Sequence, residues 1–305
     1  MSLDRIRLAS LHDKVISAEE ASAFIEDGMT VGMSGFTRAG EAKAVPLALV
    51  KRAHTNPLKI TLITGASLGN DLDKQLTEAG VLARRLPFQV DNTLRKAINN
   101  GEVMFIDQHL SETVEQMRNL QLKKTDVAII EAVAITEDGG IIPTTSVGNS
   151  ASFAIFAEKV IVEINTNLSP AFEGLHDIYI PTYRPTRQPI PLTQVDERIG
   201  THAINIDPAK IVGIVINNDL HDSPSTVTAP DDETQGIADH LIAFFEKEVA
   251  EERLPKNLGP LQAGIGSIAN AVLTGLKDSN FEDLVMYSEV LQDCTFELID
   301  AGKMK

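Results

Sequence analysis

The sequence contains no tryptophan, and its aromatic residues make up only 5% of 305 positions. A core so poor in large rings has to be aliphatic, which suits parallel sheets covered by helices better than β-sandwiches. Cys294 is the single cysteine, so an intrachain disulfide is excluded and nothing supports a disulfide-stapled secreted scaffold. No histidine stands in the neighbouring motif to activate that thiol, and a buried, idle role is expected. Positive charge is also short: 27 Lys and Arg face 43 Asp and Glu, for a formal net charge of -16. That balance argues against nucleic acid and against anionic membrane surfaces as partners. A small anion stays compatible, because a local glycine loop can outweigh the global field. No apolar run is long enough to span a bilayer. The opening Met1 to Ser10, with Asp4, Arg5 and Arg7, lacks the apolar stretch of a secretory signal. The expectation is a cytoplasmic protein.

What is present is ordinary globular composition, 43% hydrophobic and 23% charged, enough for two lobes or one large sheet with an appendage. Ser17-Ala18-Glu19-Glu20 is a capping-box pattern that predicts a helix to about Asp27, ended by Gly28. A strand is predicted over Met29 to Ser34, and a helix from about Val45, with Pro46 in its first turn. The alternation continues with strands at Lys59 to Thr64 and Val103 to Asp107, and helices at Asp71 to Ala79 and Thr93 to Asn99. Val127 to Glu131, Val160 to Ile164 and Ile211 to Val215 read as strands buried on both faces. Glu137-Asp138-Gly139-Gly140 reads as a hairpin turn. Strands alternating with helices indicate βαβ units and an α/β fold with a largely parallel sheet. Tyr179 to Thr193 is a proline-rich surface loop, and Asn217 to Thr234 is rich in turn residues. A long helix then runs from Glu233 to Glu252, with Ile237, Leu241, Phe244, Phe245 and Val249 on one face.

Three loops rich in glycine and serine follow predicted strands or precede a helix: Ser34 to Gly40, Gly65 to Ser67, and Thr144 to Ser150. At the tips of parallel strands they would line one crevice, with backbone amides and Ser34 facing an anion. His109 and His176-Asp177 lie at no metal-ligand spacing, so capping or surface roles are expected and no metal is implied. The most informative stretch is Gly264-Ile265-Gly266 before a short helix, followed by Leu284 to Val290. A glycine turn at a helix start presents N–H groups to an anion. The second segment reads as a strand delivering Glu289 to its C-terminal tip, desolvated by Val285, Met286, Tyr287 and Ser288.

Ser34-Gly35-Phe36-Thr37, Leu62 to Ser67, Glu131-Ala132, Ile135 to Gly140, Ser146 to Asn149, Gly264-Ile265-Gly266 with Asn270-Ala271-Val272, and Tyr287 to Asp293 together resemble the acetyl-CoA hydrolase/transferase family. The likeness covers essentially the whole chain and is strongest to the succinyl-CoA:acetate branch of the class I coenzyme A transferases. The resemblance implies a CoA-transferase/ribose-isomerase-like fold, with an N-terminal lobe over 1–217. Residues 218–305 would then be a linker helix and the truncated start of a second lobe. It implies that Glu289 is the nucleophile, that Gly264, Ile265, Gly266, Ser267 and Ile268 contact CoA, and that the Ile265 N–H stabilises an oxyanion. Ser34, Gly35, Phe36, Ser67 and Asn149 would hold the acyl acceptor, with Glu289 closing the site from the other side.

The implied activity moves CoA between a short acyl-CoA and a carboxylate such as acetate through a glutamyl-CoA thioester. CoA is then a substrate, and no cofactor is bound permanently. Hydrolysis of acetyl-CoA by the same glutamate, and a non-catalytic binding or assembly lobe, are the alternatives. Family members carry a second lobe with a further glycine-rich loop, whereas this chain stops at Lys305. An N-terminal portion is therefore expected, with an exposed edge that pairs in a homodimer or with the missing lobe.

Overall fold

The computed structural model describes residues 3–223 and 230–305. They form two compact units, Met1–Ile190 with Ile199–Ser223, and Pro191–Arg198 with Pro224–Lys305. In the first unit α1 (Ala18–Ser22), β1 (Thr30–Met33), α2 (Ala44–Ala53), β2 (Ile60–Thr64), α3 (Leu72–Glu78), β3 (Leu82–Leu86), α4 (Asn92–Asn99) and β4 (Met104–Phe105) alternate along the chain. They are followed by α5 (Leu110–Arg118), β5 (Val127–Ile135), β6 (Ile141–Pro143), α6 (Ser150–Phe156), β7 (Lys159–Asn165) and β8 (Ile211–Asn217).

The strands lie in the order β4-β3-β2-β1-β5-β7-β8, all parallel, while β6 folds back antiparallel on β5 through the Glu137 to Gly140 turn. The chain thus builds outward from β1 to β4, then returns to set β5 on the other side of β1. That reversal is a topological switch point, where open α/β sheets form their crevice. Val31, Met33, Val127 and Ile129 pack with α1 to α4 in one aliphatic core. Ala128, Ile130 and Ala132 point to the opposite face, where Met117 of α5 and Phe153 of α6 cover them. Alternate residues of β5 serve both cores, which is why Val127 to Ile135 reads as an unbroken apolar run interrupted only by Glu131.

The second unit contains α7 (Asp232–Ala250), β9 (Pro260–Leu261), α8 (Ser267–Asp278), β10 (Val285–Met286) and α9 (Asp293–Asp300). β9 and β10 pair in parallel, and Leu273, Leu276, Phe281, Leu284, Cys294 and Leu298 form the core. Cys294 is buried as expected, its thiol pushed up by burial and 3.4 Å from Asn270 Oδ1.

Several elements differ from the sequence reading. The capping box at Ser17 and Glu20 is present, but α1 stops at Ser22 instead of continuing to Asp27. The Arg52 guanidinium takes the carbonyls of Ser22 and Ile25, so those acceptors are satisfied without another helical turn. β3 and α5 were not expected, because the arginines of Leu-Ala-Arg-Arg-Leu and the polar Leu110–Arg118 blur both periodicities. The long helix turns Ile242, Phe245 and Val249 toward its core, and leaves Ile237 and Phe244 exposed. No helix among the described residues is long and apolar enough to cross a membrane.

Candidate functional site

At the C-terminal ends of β1, β2 and β5 the first unit gathers the expected loops. Phe36 and Ala39 exchange backbone hydrogen bonds of 2.9 and 3.1 Å, closing a turn in which Thr37 and Arg38 both have positive φ. Two non-glycine residues in the left-handed region mark a strained turn held by its surroundings. Arg38 N–H donates to the Ser67 carbonyl at 3.2 Å, and Ser146 Oγ donates to the Ala39 carbonyl at 2.8 Å. Gly65 lies so close to the Gly35 carbonyl that a Cβ there would collide with it. Gly35, Phe36, Gly65, Ser67 and Ser146 therefore belong to loops packed against one another, with Gly35, Gly65 and Ser67 buried. Asn149, also buried, directs Nδ2 to the Leu110 carbonyl at 3.4 Å. Ser34 corrects an expectation: it is buried, and its hydroxyl accepts the Glu131 N–H at 2.9 Å. The serine clasps β1 to β5 because the buried amide there needs an acceptor.

Beneath these loops lies a charged cluster that the sequence reading did not single out. Lys43, 0% exposed, donates from Nζ to Glu131 Oε1 at 2.7 Å and to the Glu41 carbonyl at 2.7 Å, and lies 2.7 Å from Asp222 Oδ1. Glu131, 1% exposed, also accepts from Thr144 Oγ1 at 2.8 Å and Asn165 Nδ2 at 2.7 Å. Glu163 stands beside Glu131 on the neighbouring strand and caps α2, taking the N–H groups of Lys43, Ala44 and Val45 at 2.8, 2.9 and 3.1 Å. Those are orphan donors at a helix start, where a carboxylate is favoured. Glu41 accepts from Asn70 Nδ2 at 2.9 Å, while its Oε2 is buried without a partner.

Four carboxylates around one ammonium cannot all ionise away from water. Burial pushes Glu131 up to about 7 against the opposing pull of Lys43. Burial likewise raises Glu41 and Glu163. Burial works against the Lys43 charge, but the Glu131 and Asp222 carboxylates outweigh it and hold the ammonium above its ordinary value. The legible signal was a glutamate inside each of two otherwise apolar strands, since a buried acid demands a partner. A second buried pair, Arg85 with Asp73 at 2.8 Å, also donates to the Ala66 carbonyl at 3.2 Å and fixes the loop that carries Ser67.

His176, half-buried, donates from Nε2 to the Thr144 carbonyl at 2.9 Å, and burial lowers its ring. From that position the ring braces the Thr144 loop. His109 is exposed at the start of α5. Among the described residues no group of three or more His, Cys, Asp or Glu is arranged to hold a metal.

In the second unit the glycine turn and the Glu289 segment are bonded to each other. Ser288 Oγ lies 3.1 Å from the Ala263 carbonyl and 3.3 Å from its N–H, and Tyr287 N–H donates to the Leu261 carbonyl at 2.9 Å. Gln292 donates from Nε2 to the Gly264 carbonyl at 2.5 Å and accepts the Gly266 N–H at 3.4 Å. Along the chain Glu289 falls between the two tethered residues Ser288 and Gln292. Gly266, at φ 132°, adopts a conformation that other residues rarely reach, and so lets the helix begin at Ser267. Two expectations need correction. The strand ends at Met286 instead of reaching Val290, and the Glu289 carboxylate is exposed, not desolvated. A two-residue strand covered on one side by three helices buries its own core, and the loop beyond it stays on the surface. Ile265, 64% exposed, and Tyr287, 58% exposed, flank the same loop.

A family model described as the acetyl-CoA hydrolase/transferase N-terminal domain matches residues 2–216. The chain is 46% identical over 301 residues to a succinyl-CoA:acetate CoA-transferase of Clostridium kluyveri, covering 98% of this chain and 56% of that protein. It is 44% identical over 312 residues to an acetyl-CoA hydrolase of Kluyveromyces lactis, covering 99% of this chain and 59% of that one. The chain thus spans less than two thirds of these relatives' length. Among solved structures, RipA from Yersinia pestis matches with a TM-score of 0.68 at 19% identity, over 100% of this chain and 61% of that one. A 4-hydroxybutyrate CoA-transferase from Porphyromonas gingivalis matches with a TM-score of 0.60 at 16% identity, over 97% and 59%. These two likenesses concern the fold. With its parallel sheet, its convergent strand-tip loops and a family match across most of its length, the chain belongs to the acetyl-CoA hydrolase/transferase N-terminal domain family.

Proposed function

We propose that the protein moves CoA between a short acyl-CoA, succinyl-CoA or acetyl-CoA, and a carboxylate such as acetate, with Glu289 as the nucleophile. The observation that carries this reading is the set of hydrogen bonds tying the Ser288 to Gln292 loop to the Gly264 to Gly266 turn. They tie the segment that carries Glu289 to the turn that opens α8, which supports the pairing of a carboxylate with helix-start amides that acyl transfer requires. Among the described residues the Ile265 N–H donates to no protein group, which leaves it for a developing oxyanion. Gly264 to Ile268 would contact CoA, and Gly35, Phe36, Ser67 and Asn149, with the buried Ser34 as support, would form the acceptor surface.

The chemistry proceeds in two half-reactions. A Glu289 oxygen attacks the thioester carbonyl, the C–S bond breaks, and CoA leaves as thiolate from an acyl-glutamyl anhydride. The thiolate then attacks the glutamyl carbonyl, releasing the first carboxylate and leaving a glutamyl-CoA thioester. An incoming carboxylate reverses both steps, ending with a new acyl-CoA and free Glu289. Two half-reactions predict ping-pong kinetics. CoA comes and goes as substrate, with no permanent cofactor. Residues 1–217 act as one lobe and 218–305 as a linker helix and the start of another, completed by a further lobe or a second copy in the cytoplasm.

The test is turnover of acetyl-CoA with and without succinate, in the protein and in Glu289→Gln. CoA exchange that needs an acceptor and vanishes in the variant supports transfer; full activity in the variant refutes it. The exposed Glu289 carboxylate favours a second reading, hydrolysis by the same residue with water resolving the intermediate. Acceptor-independent CoA release would establish that one.

A further inference from the structure

Beyond β8 the chain turns tightly, with Asn217 Oδ1 accepting the Leu220 N–H at 2.9 Å, and then runs across the strand-tip loops. His221 gives its carbonyl to Asn70 Nδ2 at 3.1 Å, and Ser223 Oγ accepts the Asn70 N–H at 2.7 Å. Between them Asp222 reaches furthest. Its Oδ1 is 2.7 Å from Lys43 Nζ, while Oδ2 accepts the Gly40 N–H at 3.3 Å and Thr145 Oγ1 at 3.2 Å. Gly40 belongs to the loop after β1, Asn70 to the loop after β2, and Thr145 to the loop before α6. One short segment therefore touches all three loops, and one carboxylate touches two of them as well as the buried ammonium.

We propose that Asp222 is a positioning residue that fastens the Gly40 and Thr145 loops of the first unit to each other and to the buried Lys43, while its neighbours His221 and Ser223 hold the Asn70 loop. The argument rests on connectivity. Lys43 is fixed from below by Glu131 and by the Glu41 carbonyl, both buried, so it is a rigid anchor. Asp222 is the only partner in that triad whose side chain is partly exposed, at 22%, and it arrives from outside the sheet. The ion pair to this rigid ammonium fixes the Asp222 carboxylate, whose charge strengthens the hydrogen bonds its Oδ2 accepts from Gly40 and Thr145, so those loops inherit that rigidity. The consequence for acyl-CoA rests on the proposed function, whereas the fastening itself does not.

The experiment compares Asp222→Asn, Asp222→Glu and Thr145→Ala with the parent protein, without ligand, by amide hydrogen exchange at 35–41, 65–70 and 144–149. Asp222→Asn is expected to speed exchange at Gly40 and around Thr145 by about tenfold or more, as loss of a charged hydrogen bond does. Asp222→Glu restores part of the protection, and Thr145→Ala loosens only its own loop. In turnover of acetyl-CoA, Asp222→Asn raises KM roughly three- to tenfold with kcat within about twofold, a loss of binding-surface order and not of chemistry. Unchanged exchange in Asp222→Asn overturns the proposal, as does a fall in kcat at constant KM. If the parent does not turn over acetyl-CoA yet exchange rises in the variant, the fastening role stands and the functional reading fails.

Discussion

The strand tips of the first unit and the glycine turn of the second are built on opposite principles. The first sinks Lys43, Glu131 and Glu163 out of water and satisfies them with amides, hydroxyls and each other. The second leaves Glu289, Ile265 and Tyr287 at the surface, tethered by a few side-chain bonds from Ser288 and Gln292. A buried cluster gives rigidity at the cost of desolvation, and each unmatched atom in it, such as Glu41 Oε2, is costly. An exposed carboxylate contributes little to stability, but it can meet a substrate. Charge that is expensive to bury holds the scaffold, and charge that costs little to expose is available for chemistry.

The contrast breaks most sharply under substitution. Glu289→Gln is expected to lower CoA transfer by at least about 1,000-fold, or ~4 kcal/mol in activation free energy, while moving stability by no more than about 0.5 kcal/mol. Steady-state kinetics beside chemical denaturation measures both at once. Glu131→Ala should do the reverse, destabilising the first unit by about 3–5 kcal/mol because it takes from Lys43 its fully buried carboxylate and leaves Thr144 and Asn165 without their acceptor. Retention of the parent's denaturation midpoint would show that the cluster is not holding the sheet.

Titration sharpens the comparison further. Glu131 is raised from 4.5 to about 7 in the folded chain, so the folded state holds a proton that the unfolded state has released. Its contribution to stability is full below about pH 4.5 and lost as pH rises through about 7. The difference in unfolding free energy between parent and Glu131→Gln should therefore change by roughly 3 kcal/mol between pH 5 and pH 8. A flat difference would contradict a Glu131 carboxyl raised by burial. The smallest effect is expected at Gly266→Ala, where φ 132° strains any side chain. A loss of about 1 kcal/mol in the second unit should accompany a weaker affinity for acetyl-CoA, read by calorimetry.

Much of the first unit was legible because its strands are apolar runs between glycine turns, and β1, β2, β5, β7 and β8 all fall within a few residues of expectation. β3 escaped because Arg85 is fully buried against Asp73, a tertiary pairing that no local pattern carries. The cluster escaped for a related reason. Glu131 and Glu163 lie inside strands expected to be buried on both faces, where a carboxylate has to be matched by something, but the partners come from distant parts of the chain. In the second unit the motif around Glu289 was legible, and its tether to the glycine turn is present. Its exposure was not, since Met286 packs against the core of the unit and cannot also cover the loop that follows.

Glu289 as covalent nucleophile is tested most directly by borohydride reduction of the protein after incubation with acetyl-CoA, followed by peptide mass spectrometry. The expected result is reduction of the Glu289 side chain to its alcohol, dependent on acetyl-CoA and lost in Glu289→Gln. An unmodified Glu289 peptide from protein that still turns over acetyl-CoA would contradict it.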